Sequence, residues 1–249
     1  MQTGKWSFKP GLIPTLATLI MFPLLLTLGF WQLDRAAQKQ SLYDNFIERT
    51  RQGSVDLNQA VQLAGVADDI LWRRAQVQGR YADAAVFLLD NQVVGGRAGY
   101  FVYSPLQIAE AETWVMVNRG WVAAGDYRDQ APVIAEATGL YTLTGTVVEF
   151  AAAPGLLISD GMQDIQQLVP GVYRVQTVGR DLFESQLGHT VYPYELRLDQ
   201  ESVTGFARDW LQPGSAKERH LGYAFQWFAL AAVLLVIYVS VNLQRRKFE

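Results

Sequence analysis

The rhythm of hydrophobic positions changes along the chain. From Pro10 to Leu33, and again from His220 to Gln244, no Asp, Glu, Lys or Arg interrupts windows of 24 and 25 residues. A helix needs roughly 20 apolar residues to cross a bilayer. Each window therefore predicts a transmembrane helix, over 10–33 and 220–243, with short tails at 1–9 and 244–249. Beyond the first span, the helix formers Arg35, Ala36, Ala37, Gln38 and Lys39 are followed by Leu42, Tyr43, Phe46 and Ile47 at helical spacing. The helix is expected to continue to Gln52 as a juxtamembrane stalk, with a weak second helix at Leu57–Leu63.

The period then drops to two. In Arg73–Tyr81, Ala75, Val77, Gly79 and Tyr81 alternate with Arg74, Gln76, Gln78 and Arg80, the pattern of a strand with one wet face. Further strands are predicted at Ala85–Leu89, Tyr100–Leu106, Thr113–Val117, Leu140–Phe150, Val172–Thr177 and Val191–Leu198, with a short helix at Gly179–Leu187. Gly and Pro punctuate them, as at Gly95-Gly96, Pro132 and Gly139. Residues Ala151–Pro170 form the longest irregular stretch and read as a mobile loop. The expected fold is a membrane protein, a two-helix transmembrane hairpin carrying a mainly antiparallel β (α+β) outer domain over 34–219.

Charge gives this layout an orientation. Lys5 and Lys9 precede the first span, and Arg245, Arg246 and Lys247 follow the second. The positive-inside rule then puts both tails in the cytoplasm and the large domain on the outer side of the membrane, which in a bacterial cell is the periplasmic side of the inner membrane. The first apolar run is longer than the about 7 to 15 residues of a signal-peptide core and ends in Gly29-Phe30-Trp31-Gln32, so it reads as a retained anchor. The domain between the spans carries 16 of the 21 basic and 23 of the 24 acidic residues. With a net charge of -3 overall, the chain lacks the basic footprint of a nucleic-acid binder.

Composition narrows the chemistry. Without cysteine and with His189 and His220 as the two histidines, thiolate and polyhistidine metal sites are excluded. No GxxxxGK[ST], HExxH or GxSxG occurs, and no nucleophile with a paired base is evident, so catalysis is not expected. What stands out lies at the ends of the spans. His220, Tyr223 or Ala224, Trp227 and Ala231 share a face of the second helix. Gly29, Gln32 and Arg35 fall near one stripe of the first, and Arg35 and Arg219 lie at the same interface as His220. Two readings stay open: an interfacial His and Trp anchor with lipid-binding arginines, or an axial imidazole ligand to haem with arginines for its propionates. In the domain, Val117-Asn118-Arg119-Gly120-Trp121 joins a strand to a turn, held by Arg119 stacking on Trp121 or serving as a partner-binding loop.

Together, Leu28-Gly29-Phe30-Trp31-Gln32-Leu33-Asp34-Arg35, Val117–Trp121 and His220-Leu-Gly-Tyr-Ala-Phe-Gln-Trp227 resemble the SURF1 (Shy1) family of cytochrome c oxidase assembly proteins. Arg74–Tyr81 and the Gly-x-x-Val-x-x-Pro-Leu stretch at Gly99–Leu106 resemble that family's strands. The resemblance spans nearly the whole chain, though Ala151–Gly171 departs from it. It implies a chaperone-like factor that holds haem a for insertion into subunit I of the oxidase, with His220 as iron ligand. Gln32, Arg35, Arg219, Tyr223 and Trp227 would then be its cofactor contacts, and Asn118, Arg119, Gly120 and Trp121 its partner contacts. It also implies subunit I, haem a synthase and membrane lipid as partners. A haem-free scaffold that stabilises subunit I is the competing role.

Overall fold

A computed structural model describes residues 6–62, 70–82, 85–125, 127, 130–135, 137, 139–151 and 165–245. In chain order the elements are β1 (Trp6–Phe8), α1 (Leu12–Arg51), β2 (Val55–Asp56), α2 (Leu57–Gln62), β3 (Arg74–Tyr81), β4 (Val86–Val94), β5 (Arg97–Ile108) and β6 (Trp114–Ala123). They continue with β7 (Leu140–Val148), β8 (Ile165–Val169), β9 (Val172–Val175), α3 (Arg180–Leu187), β10 (Val191–Leu198), α4 (Lys217–Asn242) and β11 (Leu243–Arg245). The chain divides into a helical unit, Met1–Phe46 with Leu211–Glu249, and a β unit, Ile47–Trp210.

In the helical unit, α1 buries Leu25, Gly29, Gln32 and Ala36, spaced by four, three and four, and α4 buries Ala224 and Ala231. Small residues let the two backbones approach, as membrane helix pairs require. Gly29 is a close approach of the two helices: a Cβ there would stand 2.6 Å from Phe228 Cε1. Phe30 meets the same Phe228 ring edge-on, with centroids 5.3 Å apart. At the other end, Asn242 is buried, accepts a hydrogen bond from the Gly11 N–H at 2.7 Å and donates to the Tyr238 carbonyl. There β1 and β11 pair antiparallel, Trp6 opposite Arg245. Only 11% of each apolar helical window is buried. Exposed Leu16, Ile20, Phe225 and Val236 need a hydrocarbon solvent. The chain is a two-span membrane protein with a β domain.

At 40 residues, α1 is about 60 Å long, twice the hydrocarbon thickness, so its second half is the expected stalk.

The β unit is built on one sheet in the order β2-β3-β7-β10-β6-β5-β4-β9-β8, with β3 also pairing with β5. That pairing closes β3, β7, β10, β6 and β5 into a five-stranded ring. Among the described residues antiparallel pairs dominate, the parallel ones being β2–β3, β4–β9 and β6–β10. Inside the ring, Val77, Leu106, Ile108, Val117, Leu143 and Leu196 form a fully buried core. Gly79 sits at the closure, opposite Ile108, where a Cβ would run into the Gln107 carbonyl oxygen. On the other face, α3 lays Leu182 and Phe183 over Phe87, Tyr103, Met116 and Val191.

The period-two reading holds for β3, whose residues alternate exposed and buried from Arg74 to Tyr81. The other predicted strands and the α3 helix form; β4, β5 and β6 run longer than expected, β7 and β9 end sooner, and β10 keeps its predicted bounds. Two readings need correction. Residues 165–169 of the expected irregular stretch are strand β8, paired with β9; 152–164 lie outside the described residues, as does Leu63 of the expected second helix. The expected turn after Val117 is absent: β6 runs on to Ala123.

Candidate functional site

Within the helical unit, the paired seams bring His220 to Gln32. His220 Nδ1 lies 2.7 Å from Gln32 Oε1. Gln32 is buried, His220 half-buried. A buried polar group next to lipid needs a partner, and here each residue is the other's. With the proton on Nδ1, that nitrogen donates to the Gln32 carbonyl oxygen and Nε2 keeps its lone pair. A histidine that ligates a metal is commonly fixed in this way through its other nitrogen. Ala224 and Ala231 share the buried side of α4 with half-buried Trp227, and Tyr223 is exposed, so Ala224 occupies the seam position for which Tyr223 was the alternative.

The arginines stand on exposed helix surface. Arg35 donates from Nη1 to Gln38 Oε1 at 3.0 Å, and its guanidinium carbon lies 5.7 Å from the Trp31 ring centre. A neighbouring cation is satisfied by the stalk: Lys217 Nζ donates to Gln40 Oε1 at 2.8 Å.

In the β unit, Asn118-Arg119-Gly120-Trp121 is part of the barrel wall. Asn118 and Arg119 are buried, and Trp121 is half-buried with its indole N–H on the Gln92 carbonyl at 3.0 Å. Between Phe101 opposite Trp121 and Tyr103 opposite Asn118 the register slips, so Arg119 and Gly120 form a β-bulge. Gly120 adopts φ 113, and a Cβ would lie 2.6 Å from the Ala207 carbonyl oxygen. Arg119 follows Val115 and Val117 on the inner face, and its aromatic neighbours are Phe206 at 4.8 Å and Tyr81 at 5.6 Å rather than Trp121. Burial pulls its pKa below the usual arginine value.

Sequence reasoning missed the partner of Asn118. Glu195 is fully buried, and its carboxylate accepts from Tyr103 Oη at 2.7 Å, Arg197 Nε at 2.7 Å and Asn118 Nδ2 at 3.4 Å. Burial first, and then the adjacent carboxylate, push the Tyr103 hydroxyl pKa well above its usual value. This network joins β5, β6 and β10 and has the character of a structural staple. A lone Glu within β10 gives no sequence signal of it.

The model of the SURF1 family matches residues 19–232, taking in the seam, the stalk and the whole β unit. The chain belongs to the SURF1 family. It is similar to a SURF1-like protein of Rickettsia bellii, 24% identical over 90% of this chain and 88% of that protein. A SURF1-like protein of Rickettsia felis is 24% identical over 90% of this chain and 94% of its own. One of Dictyostelium discoideum is 29% identical over 42% of this chain and 41% of its own. In this SURF1-family chain, Gln32 and His220 both fall inside the matched range, as do Asn118–Trp121.

Proposed function

We propose that this protein assists assembly of cytochrome c oxidase by holding haem a, as cargo, at the membrane seam before its insertion into subunit I. The SURF1 family is associated with cytochrome c oxidase assembly. The observation that carries the finer reading is the pairing of His220 Nδ1 with buried Gln32 Oε1 at 2.7 Å. It orients an imidazole beside Trp227 and the small Ala224, a donor set suited to a flat apolar macrocycle. His220 would supply the iron ligand, Gln32 would fix its ring, and Arg35 and Arg219 would pair with propionates after Arg35 releases Gln38. Haem supplies the iron and the two carboxylates; the chain supplies orientation and an apolar wall.

The cell inner membrane, cytoplasmic termini and a periplasmic β domain belong to the same proposal. Its support is the basic tails together with the β1–β11 pairing, which holds both termini at one end of the helical unit. Subunit I is the proposed recipient and haem a synthase the proposed source. The protein purified from cells that make haem a should carry the pigment. Haem-free protein that still captures subunit I after mild crosslinking would move the role to a scaffold.

A further inference from the structure

A cavity of about 410 Å³ opens beside Arg119, between the start of β4, the β8–β9 turn and Ile134, Ala135 and Ala137. Arg119 and Ser104 line it, with Tyr81, Ala82, Val86 and Ile134 among the walls. The size falls in the lower range of small-molecule sites, roughly 300 to 1,000 Å³.

Arg119 is unusual in what surrounds it. At 2% exposure it is the largest fully buried side chain among the described residues, yet its partners there are all neutral. Nε donates to the Thr204 carbonyl at 2.8 Å, Nη2 to the Ala135 carbonyl at 2.9 Å and Nη1 to Ser104 Oγ at 3.3 Å. No carboxylate pairs with it among the described residues. A guanidinium has five N–H bonds; three are used here, so two lack a protein acceptor among the described residues. The Ser104 hydroxyl accepts from Arg119, and its own proton has no acceptor among the described residues. A buried cation without a counter-ion is costly, and an anion in the adjoining cavity would neutralise it with charge-assisted bonds.

We propose that this cavity binds a small organic carboxylate, its head on Arg119 and Ser104 and its apolar body along Ala82, Val86 and Ile134. The site is independent of the haem proposal, since it lies wholly within the β unit.

Hexanoate, hexanol and inorganic phosphate, each titrated against the full-length protein in detergent at constant ionic strength, test this through thermal unfolding. Hexanoate should raise the Tm saturably. Hexanol, with the same body and no charge, should bind at least about tenfold more weakly, as should hexanoate to Arg119→Lys, which keeps the charge and loses the planar fork. Ala82→Phe fills the cavity while leaving the Arg119 hydrogen bonds in place, and should abolish the response even if Arg119→Lys fails to fold. A wild type indifferent to hexanoate, an equal response in Ala82→Phe, hexanol binding as tightly, or saturation by phosphate alone would each overturn the proposal.

Discussion

Replacing Arg197 by methionine removes the cation paired with the Glu195 carboxylate at 2.7 Å, along with its guanidinium contact to the Trp210 ring at 5.6 Å, while keeping an unbranched apolar stem. Glu195 is fully buried and Arg197 about one quarter exposed, its side chain at 26%. Breaking a buried pair from one side costs about 3–5 kcal/mol; solvent at Arg197 places this case at the low end, roughly 3 kcal/mol. The Tyr103 hydroxyl and the Asn118 amide would still donate to the carboxylate, but neither neutralises it. For a domain of this size each kcal/mol shifts the midpoint by about 2–4 °C, so the Tm should fall by roughly 6–12 °C. Thermal unfolding of the full-length protein in detergent, followed by near-UV circular dichroism, reads this directly. Adding Glu195→Gln should recover part of the loss, because a neutral amide needs no counter-ion and still accepts from Tyr103. A coupling of at least about 1 kcal/mol is expected in the double-mutant cycle. Unchanged stability in Arg197→Met, or no recovery in the double variant, would refute the view that Arg197 balances the buried Glu195 charge within the network that joins β10 to β5 and β6.

Other outcomes follow from the same geometry. Gly79→Ala should destabilise the β unit and Gly79→Glu should prevent its accumulation, since the Cβ meets the Gln107 carbonyl at the barrel closure before any carboxylate is buried; normal protease resistance in both would mean the ring does not close there. Tyr103 keeps its proton in the folded state beyond the pH at which unfolded tyrosine, near pKa 10, loses it. Stability should therefore be unaffected by Tyr103 below about pH 10 and fall above it by up to about 1.4 kcal/mol per pH unit. Denaturant titrations of wild type and Tyr103→Phe should diverge in slope only on that alkaline side. Alkaline phosphatase fused after Gly125 should be active and after Phe248 inactive; the reverse pattern would invert the proposed topology.

The spans, the stalk and β3 were legible because each obeys a local period. Ala75, Val77, Gly79 and Tyr81 face inward, as their alternation requires. Asn118-Arg119-Gly120 misled for a physical reason: a polar, a charged and a glycine residue in succession look like a turn. Asn118 and Arg119 stay in β6 because acceptors distant in the chain satisfy them, Thr204 and Ala135 for Arg119 on the inner face and Glu195 for Asn118 on the outer. Ile165–Val169 was illegible because this edge strand is paired with β9 alone, so its Gln166 and Gln167 remain exposed and no alternation results. At the membrane seam, residue types pointed to His220 and Gln32 separately. Their hydrogen bond depends on how Gly29 packs against Phe228, which no single-helix pattern encodes.

The central claim rests on His220. The measurement is the reduced-minus-oxidised spectrum and haem content of wild type, His220→Ala and Arg35→Ala, purified from cells that make haem a. The imidazole donates to iron and alanine cannot, whereas Trp227 and Ala224 still offer apolar contact. His220→Ala should insert normally, lose the axial-ligand spectrum and hold less haem; Arg35→Ala should hold less haem with an unchanged spectrum. Full haem a content with an unaltered spectrum in His220→Ala would contradict the account.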